Sequence, residues 1–177
     1  MADMIWFSPM IISALTAEQF FQIICAIMLE KSVIFVSDNL PLLSSSVLGL
    51  QCFLHPFKWS FVQIPILPRS LVDMIEAPMP FLVGLLRSHL KFVSLQSDYH
   101  EEGVERIVVY INVERKEVTV DNKHVDLPIP CFKNLVERLT IPFSVLNCSK
   151  HYVSVPTESQ KIALLDIQRI VLSTFME

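Results

Sequence analysis

The stretch Leu29–Gly84 runs LEKSVIFVSDNLPLLSSSVLGLQCFLHPFKWSFVQIPILPRSLVDMIEAPMPFLVG, and its order of elements decides the fold. Ser32-Val33-Ile34-Phe35-Val36 is a short unbroken apolar run rich in β-branched residues, the pattern of a strand buried on both faces. Ser37-Asp38-Asn39 follows as a turn. Pro41 then stands in the first turn of a helix, where its missing N–H is no loss. Leu43, Val47, Leu50 and Leu54 recur on one face of that helix until Pro56 ends it. Ser60–Leu67 is a second apolar strand. Pro65 removes one ladder donor, which suits a strand end or a sheet edge. A short helix over Pro68–Ile75 comes next.

Working outward, Leu15-Thr16-Ala17-Glu18-Gln19-Phe20 opens an earlier helix. Thr16 and Gln19 form a capping box, and Leu15 can staple onto Phe20. Phe20, Ile23, Ile24, Ile27 and Met28 continue it at helical spacing. Residues 16–75 therefore alternate helix, strand, helix, strand, helix, which implies parallel strands joined by helical crossovers. Beyond the proline-rich bend Glu76–Pro80, the apolar segment Phe81–Phe92 is expected to be helical, and Leu95–Glu105 a polar, acidic loop. Ile107–Val113 and Glu117–Val120 alternate around Glu114-Arg115-Lys116 and predict a β-hairpin. Pro128 and Pro130 precede a helix with Phe132, Leu135, Val136 and Leu139 on one stripe. Thr157-Glu158-Ser159-Gln160 is a second capping box. Its helix is still apolar at Phe175-Met176, the pattern of a helical region that is cut short. The fold class expected is α/β: a mostly parallel central sheet covered by helices on both faces, with a β-hairpin in the second half.

Of the 177 residues, 18% are charged and 52% hydrophobic. Ordinary domains carry about 25% charged residues, so some of this surface is expected to lie against neighbours. Net charge is −4 and the lysines and arginines are scattered, which argues against nucleic acid as a partner. None of the four cysteines, Cys25, Cys52, Cys131 and Cys148, has a mate at C-x-x-C spacing. They are expected to be free, mostly buried thiols of a reducing compartment. The N-terminus lacks the basic region of a signal peptide. The longest uncharged run, Asn39–Phe57, holds two prolines, His55, Gln51 and three serines, and suits a core segment rather than a membrane span.

Chemical motifs are absent. The three glycines, Gly49, Gly84 and Gly103, belong to no phosphate-binding pattern, so the sequence offers no nucleotide cradle and implies no cofactor. Ser44-Ser45-Ser46 has no glycine frame for a nucleophile elbow and suits close helix packing. No histidine pair has metal-ligand spacing. Glu101-Glu102 lies in a polar segment and reads as a solvated face. The sequence points to no catalyst with its own active site and no metal site.

One resemblance adds to this. Val36-Ser37, Leu43-Ser44, Pro56-Phe57-Lys58-Trp59, Ile64-Pro65-Ile66-Leu67-Pro68 and Ala77-Pro78-Met79-Pro80-Phe81-Leu82-Val83-Gly84 succeed one another in the order of the central segment of DENN domains. Val109-Tyr110-Ile111-Asn112-Val113-Glu114 resembles the family's Val-Asp-Leu-Asp hairpin, with Asn112 and Glu114 where aspartates are usual. Pro128–Leu139 resembles its Leu-Pro-x-x-Pro lead-in to a helix. The likeness covers roughly residues 16–140. It implies a central DENN α/β lobe over residues 1–150 and the start of the family's downstream helical region over 151–177. The function implied is part of a guanine-nucleotide exchange factor for a Rab-family small GTPase. Such a factor binds the switch regions and promotes GDP release without holding nucleotide itself. The alternative is a non-catalytic DENN-type interaction module in a trafficking complex.

The resemblance also implies a longin-like N-terminal lobe, which this sequence lacks, and a cytoplasmic protein recruited to membranes through partners. Functional loops of open parallel sheets gather at the carboxyl ends of the strands. That nominates Ser37, Asp38 and Asn39 after the first strand, and Arg69 with Ser70 after the second. Glu76 and Met79, in the proline-rich bend, are a third group. Asp38 and Asn39 equally suit helix capping. Phe57 and Trp59 are expected in the core.

Overall fold

The computed structural model describes residues 2–93, 106–112, 117–121, 132–147 and 156–176. Their elements are α1 (Ala2–Ala14), α2 (Ala17–Met28), β1 (Ser32–Ser37), α3 (Leu40–Gln51), β2 (Val62–Ile64), β3 (Phe81–Leu86), β4 (Arg106–Asn112), β5 (Glu117–Asp121), α4 (Phe132–Asn147) and α5 (Glu158–Met176). Three 3-10 helices, Cys52–Leu54, Arg69–Glu76 and Arg87–Phe92, complete them. The five-stranded sheet has the order β2-β3-β1-β4-β5, parallel except for the β4–β5 hairpin.

The unbroken apolar run of β1 occupies the middle of the sheet and is buried at every residue. Its alternate side chains feed two cores. Val33 and Phe35 join Leu82 of β3 and Ile107, Val109 and Ile111 of β4 beneath all five α-helices. Ile34 and Val36 point the other way, with Phe81, Val83 and Leu85 of β3, onto Leu67, Val72 and Ile75. The expected cover on both faces is therefore present, with α-helices on one face and two 3-10 helices on the other. Phe20 anchors the larger core, edge-on to Phe53 at 5.1 Å and to Phe143 at 5.3 Å between ring centroids. Burial of a side chain of this size is worth about 1.5–3 kcal/mol.

The opposite placement of the crossovers follows from handedness. From β1 the chain travels through α3 to β2, past β3; from β2 it returns through Arg69–Glu76 to β3. Crossovers of one hand that travel in opposite directions lie on opposite faces. The segments leaving the neighbours β1 and β3 also part: α3 packs into the larger core, whereas Arg87–Phe92 places Leu90 against the smaller one, so a switch point lies between their carboxyl ends.

Both capping boxes form. The Gln19 N–H donates to Thr16 Oγ1 (3.2 Å) and the Thr16 N–H to Gln19 Oε1 (3.0 Å). Thr157 and Gln160 repeat the exchange. The serines of α3 pack closely: Ser45 and Ser46 are buried, and Ser46 Oγ donates to the Leu42 carbonyl at 2.7 Å. On the same helix a Cβ at Gly49 would stand 2.9 Å from the backbone of Phe7, so the glycine lets α1 approach.

Three expectations need correction. Phe81–Phe92 is not helical at its start: Phe81–Leu86 is β3, and only Arg87–Phe92 turns, as a 3-10 helix. Ser60–Leu67 shrinks to the edge strand Val62–Ile64, although the Leu67 N–H still donates to the Gly84 carbonyl at 2.7 Å. Phe57 lies outside the core at 45% exposure, because a turn closed by its N–H on the Leu54 carbonyl (2.8 Å) carries it outward. Trp59 is half-buried against the larger core, and its Nε1–H donates to the Val62 carbonyl at 3.3 Å. The hairpin turn Glu114-Arg115-Lys116, the loop Leu95–Glu105, Pro128, Pro130, Cys131 and Cys148 lie outside the described residues.

Candidate functional site: the rim at the carboxyl ends

Ser37 ends β1 and is paired in register with Leu86 at the end of β3. The two residues beyond, Asp38 and Arg87, stand side by side across the switch point. Arg87 Nε lies 2.9 Å from Asp38 Oδ2. That is an ion-pair distance, although the Nε–H is not aimed at the oxygen and forms no hydrogen bond. The far end of the guanidinium donates from Nη2 to the Ile111 carbonyl of β4 at 3.4 Å. One side chain thus runs from β3, across the end of β1, to β4. That gap is two strand spacings, roughly 10 Å.

The turn after β1 is fixed from within. Ser37 is buried, and its Oγ accepts the Asn39 N–H at 3.3 Å. Asn39 caps α3: its Oδ1 accepts the Leu42 N–H at 2.9 Å, satisfying a donor that the first turn of a helix leaves unpaired. Asp38 is not used as a cap. Its side chain is 73% exposed, against 37% for Arg87. Leu40, the next residue but one, is also exposed.

The other predicted residues do not all join this rim. Arg69 and Ser70 are exposed at the start of the longer 3-10 helix, and the Arg69 guanidinium stacks 4.2 Å above the ring of Phe92. Lys91 approaches the same ring at 5.1 Å. Glu76 closes that 3-10 helix and is exposed. Met79, 48% exposed, precedes β3, and its carbonyl accepts from Ser32 Oγ at the amino end of β1 (3.4 Å). Glu76 and Met79 thus lie toward the opposite end of the sheet from Asp38. Arg87 went unnoticed in the sequence because an assumed helix over Phe81–Phe92 gave it no special place; as a strand end, the position is conspicuous.

Among the described residues, no group of three or more His, Cys, Asp or Glu side chains could hold a metal ion, and no helix is long and apolar enough to cross a membrane. Cys25 is buried in the larger core, where loss of water around the thiolate pushes its pKa up to about 12. A thiol so held is an inert hydrophobe.

What the strands and helices define is an α/β domain with a mostly parallel sheet, with charged and apolar side chains exposed at its rim. The DENN (AEX-3) domain family model matches residues 7–114, and the chain belongs to that family. It is similar to DENN domain-containing protein 2B of Mus musculus and of Homo sapiens, 44% identical over 78 residues in each. The aligned part is 44% of this chain and 7% of either relative. DENN domain-containing protein 2D of Homo sapiens is 35% identical over 75 residues, covering 42% of this chain and 16% of that protein. The chain thus spans a small fraction of the length of these relatives.

Proposed function

We propose that this chain supplies part of the docking surface of a guanine-nucleotide exchange factor for a Rab-family GTPase. The observation that carries the reading is membership of the DENN family over residues 7–114, since that family is generally one of Rab exchange modules. The rim agrees with the reading. An exchange factor needs a surface that grips the switch regions and loosens Mg²⁺ and nucleotide; it needs no phosphate cradle of its own. Asp38, Asn39, Arg69 and Ser70 are the exposed residues nominated for that grip, and the exposed Leu40 beside them adds an apolar contact. Ser37 and Asn39 shape the turn that carries Asp38, and Glu76 with Met79 would be a separate contact.

A stable protein interface buries about 800 Å² on each partner. Such an interface takes about 20–30 residues from each partner, far more than the few nominated here, so the reading includes a second, longin-like lobe that shares the GTPase. It also includes recruitment to membranes through partners, with the protein in the cytoplasm. The test is release of a fluorescent GDP analogue from a panel of Rab GTPases, with the full-length protein. Faster release from one Rab supports exchange and names the partner. Binding to a Rab without faster release replaces exchange by a non-catalytic interaction module. Neither binding nor release on any Rab rejects the reading.

A further inference from the structure

We infer that Arg87 is a positioning residue of the docking rim, holding the Asp38 carboxylate in place to receive a basic side chain of the GTPase. The inference rests on the reading above. Three observations carry it. First, Arg87 is at the topological switch point, the place in an open parallel sheet where the diverging connections leave room for something to bind. Second, its guanidinium touches groups from two other strands at once, Asp38 just beyond β1 and the Ile111 carbonyl within β4. A lysine has one nitrogen and cannot repeat both contacts, whereas the arginine fork can. Third, the pair is asymmetric. Arg87 is the more sheltered member and Asp38 the more exposed, so the charge that faces outward is negative.

A carboxylate has room for about four hydrogen bonds on its two oxygens. The single contact with Arg87 Nε leaves Asp38 able to accept from a partner's lysine or arginine. Without Arg87 the Asp38 side chain still caps nothing, because Asn39 already holds the helix start. It would rotate freely, and each encounter would have to order it again.

The test is a double-mutant cycle in the full-length protein, on whichever Rab the wild type binds, with KM and kcat for GDP-analogue release and the thermal midpoint measured in parallel. Arg87→Gln and Asp38→Asn are each expected to raise KM about tenfold while kcat holds, and the double variant is expected to be no worse than the poorer single. Arg87→Lys is expected to fall between wild type and Arg87→Gln. It keeps the test open should the glutamine variant fold poorly. The charge-swapped pair, Asp38→Arg with Arg87→Asp, separates presentation from simple bracing. It turns the opposite sign outward, so KM is expected to remain raised; the thermal midpoint is expected to fall, because the aspartate cannot donate to the Ile111 carbonyl. Recovery of KM in the swapped pair, or losses that multiply in the double variant, overturns the inference. Wild-type binding that Arg87→Gln leaves unchanged overturns this inference alone. Absence of any Rab binding by the wild type overturns the proposed function beneath it.

Discussion

Two residues set limits that single substitutions will expose. A Cβ at Gly84 would run into the Pro65 carbonyl oxygen, because the segment leaving β2 lies directly along β3 there. Backbone has nowhere to retreat in a close-packed core, so Gly84→Ala is expected to cost about 2–3 kcal/mol. A urea-denaturation midpoint measures it, and a loss below about 1 kcal/mol would mean that the Pro65 segment moves aside. Cys25 sets a chemical limit. Burial raises its pKa from an ordinary value of 9.0 to about 12, so the folded chain resists forming the thiolate and the unfolded chain does not. The stabilising difference is whole below about pH 9 and is lost as the pH rises from there through about 12. Wild type is therefore expected to lose more stability than Cys25→Ala between pH 8 and pH 10.5, read from parallel urea titrations. At pH 8 the native thiol is expected to react with a disulfide reagent much more slowly than an unfolded control, because it is both buried and almost wholly protonated.

At the scale of elements, the parts that carry their own chemical signature were legible. Thr16 with Gln19, and Thr157 with Gln160, are capping boxes in the sequence and in the structure. Alternation around residues 107–120 marked the hairpin, which pairs Val109 with Val120. The β1 run is buried on both faces, as its composition required. What misled was Phe81–Phe92. An unbroken apolar run fits a doubly buried strand or a buried helix equally, and periodicity cannot choose between them. Only the neighbours choose: β2 and β1 offer ladder partners on both sides, which a helix could not satisfy. The rim was half-legible for the same reason. The turn Ser37-Asp38-Asn39 announces itself by composition, whereas Arg87 gains meaning only once β3 is a strand ending beside β1. The α3 cap can be separated from any docking role by substitution. Asn39→Ala is expected to cost about 1 kcal/mol and Asn39→Asp almost nothing, since aspartate caps as well. Thermal midpoints of the two variants check this. Equal losses in both would show that the amide nitrogen of Asn39, and not the cap oxygen, holds the turn.

For the whole molecule, the proposed function raises the question of how much of an exchange surface this chain can supply. All five α-helices and one face of the sheet share a single core, and α5 is bound into it by Ala163, Leu164, Ile167 and Val171. Gln168 adds a tie to the larger body through its Nε2–H on the Cys52 carbonyl at 3.1 Å. This chain is therefore expected to hold its shape when isolated, and the rim proposed for docking with it. Shape alone does not supply the contact area that a GTPase complex needs, and affinity depends on how much of the entropic cost of association the contacts offset. A second lobe joined to the first turns its own docking into an intramolecular step, with an effective concentration in the millimolar range. Under the proposed function, the 177-residue chain is accordingly expected to bind a Rab at least a hundredfold more weakly than the two lobes joined, by fluorescence anisotropy of labelled GTPase. Supplying the longin-like lobe as a separate polypeptide is expected to recover GDP release only as its concentration approaches the millimolar range. Exchange by the isolated chain equal to that of the joined lobes would place the whole catalytic surface on this lobe, and the carboxyl-end rim would then have to account for all of it.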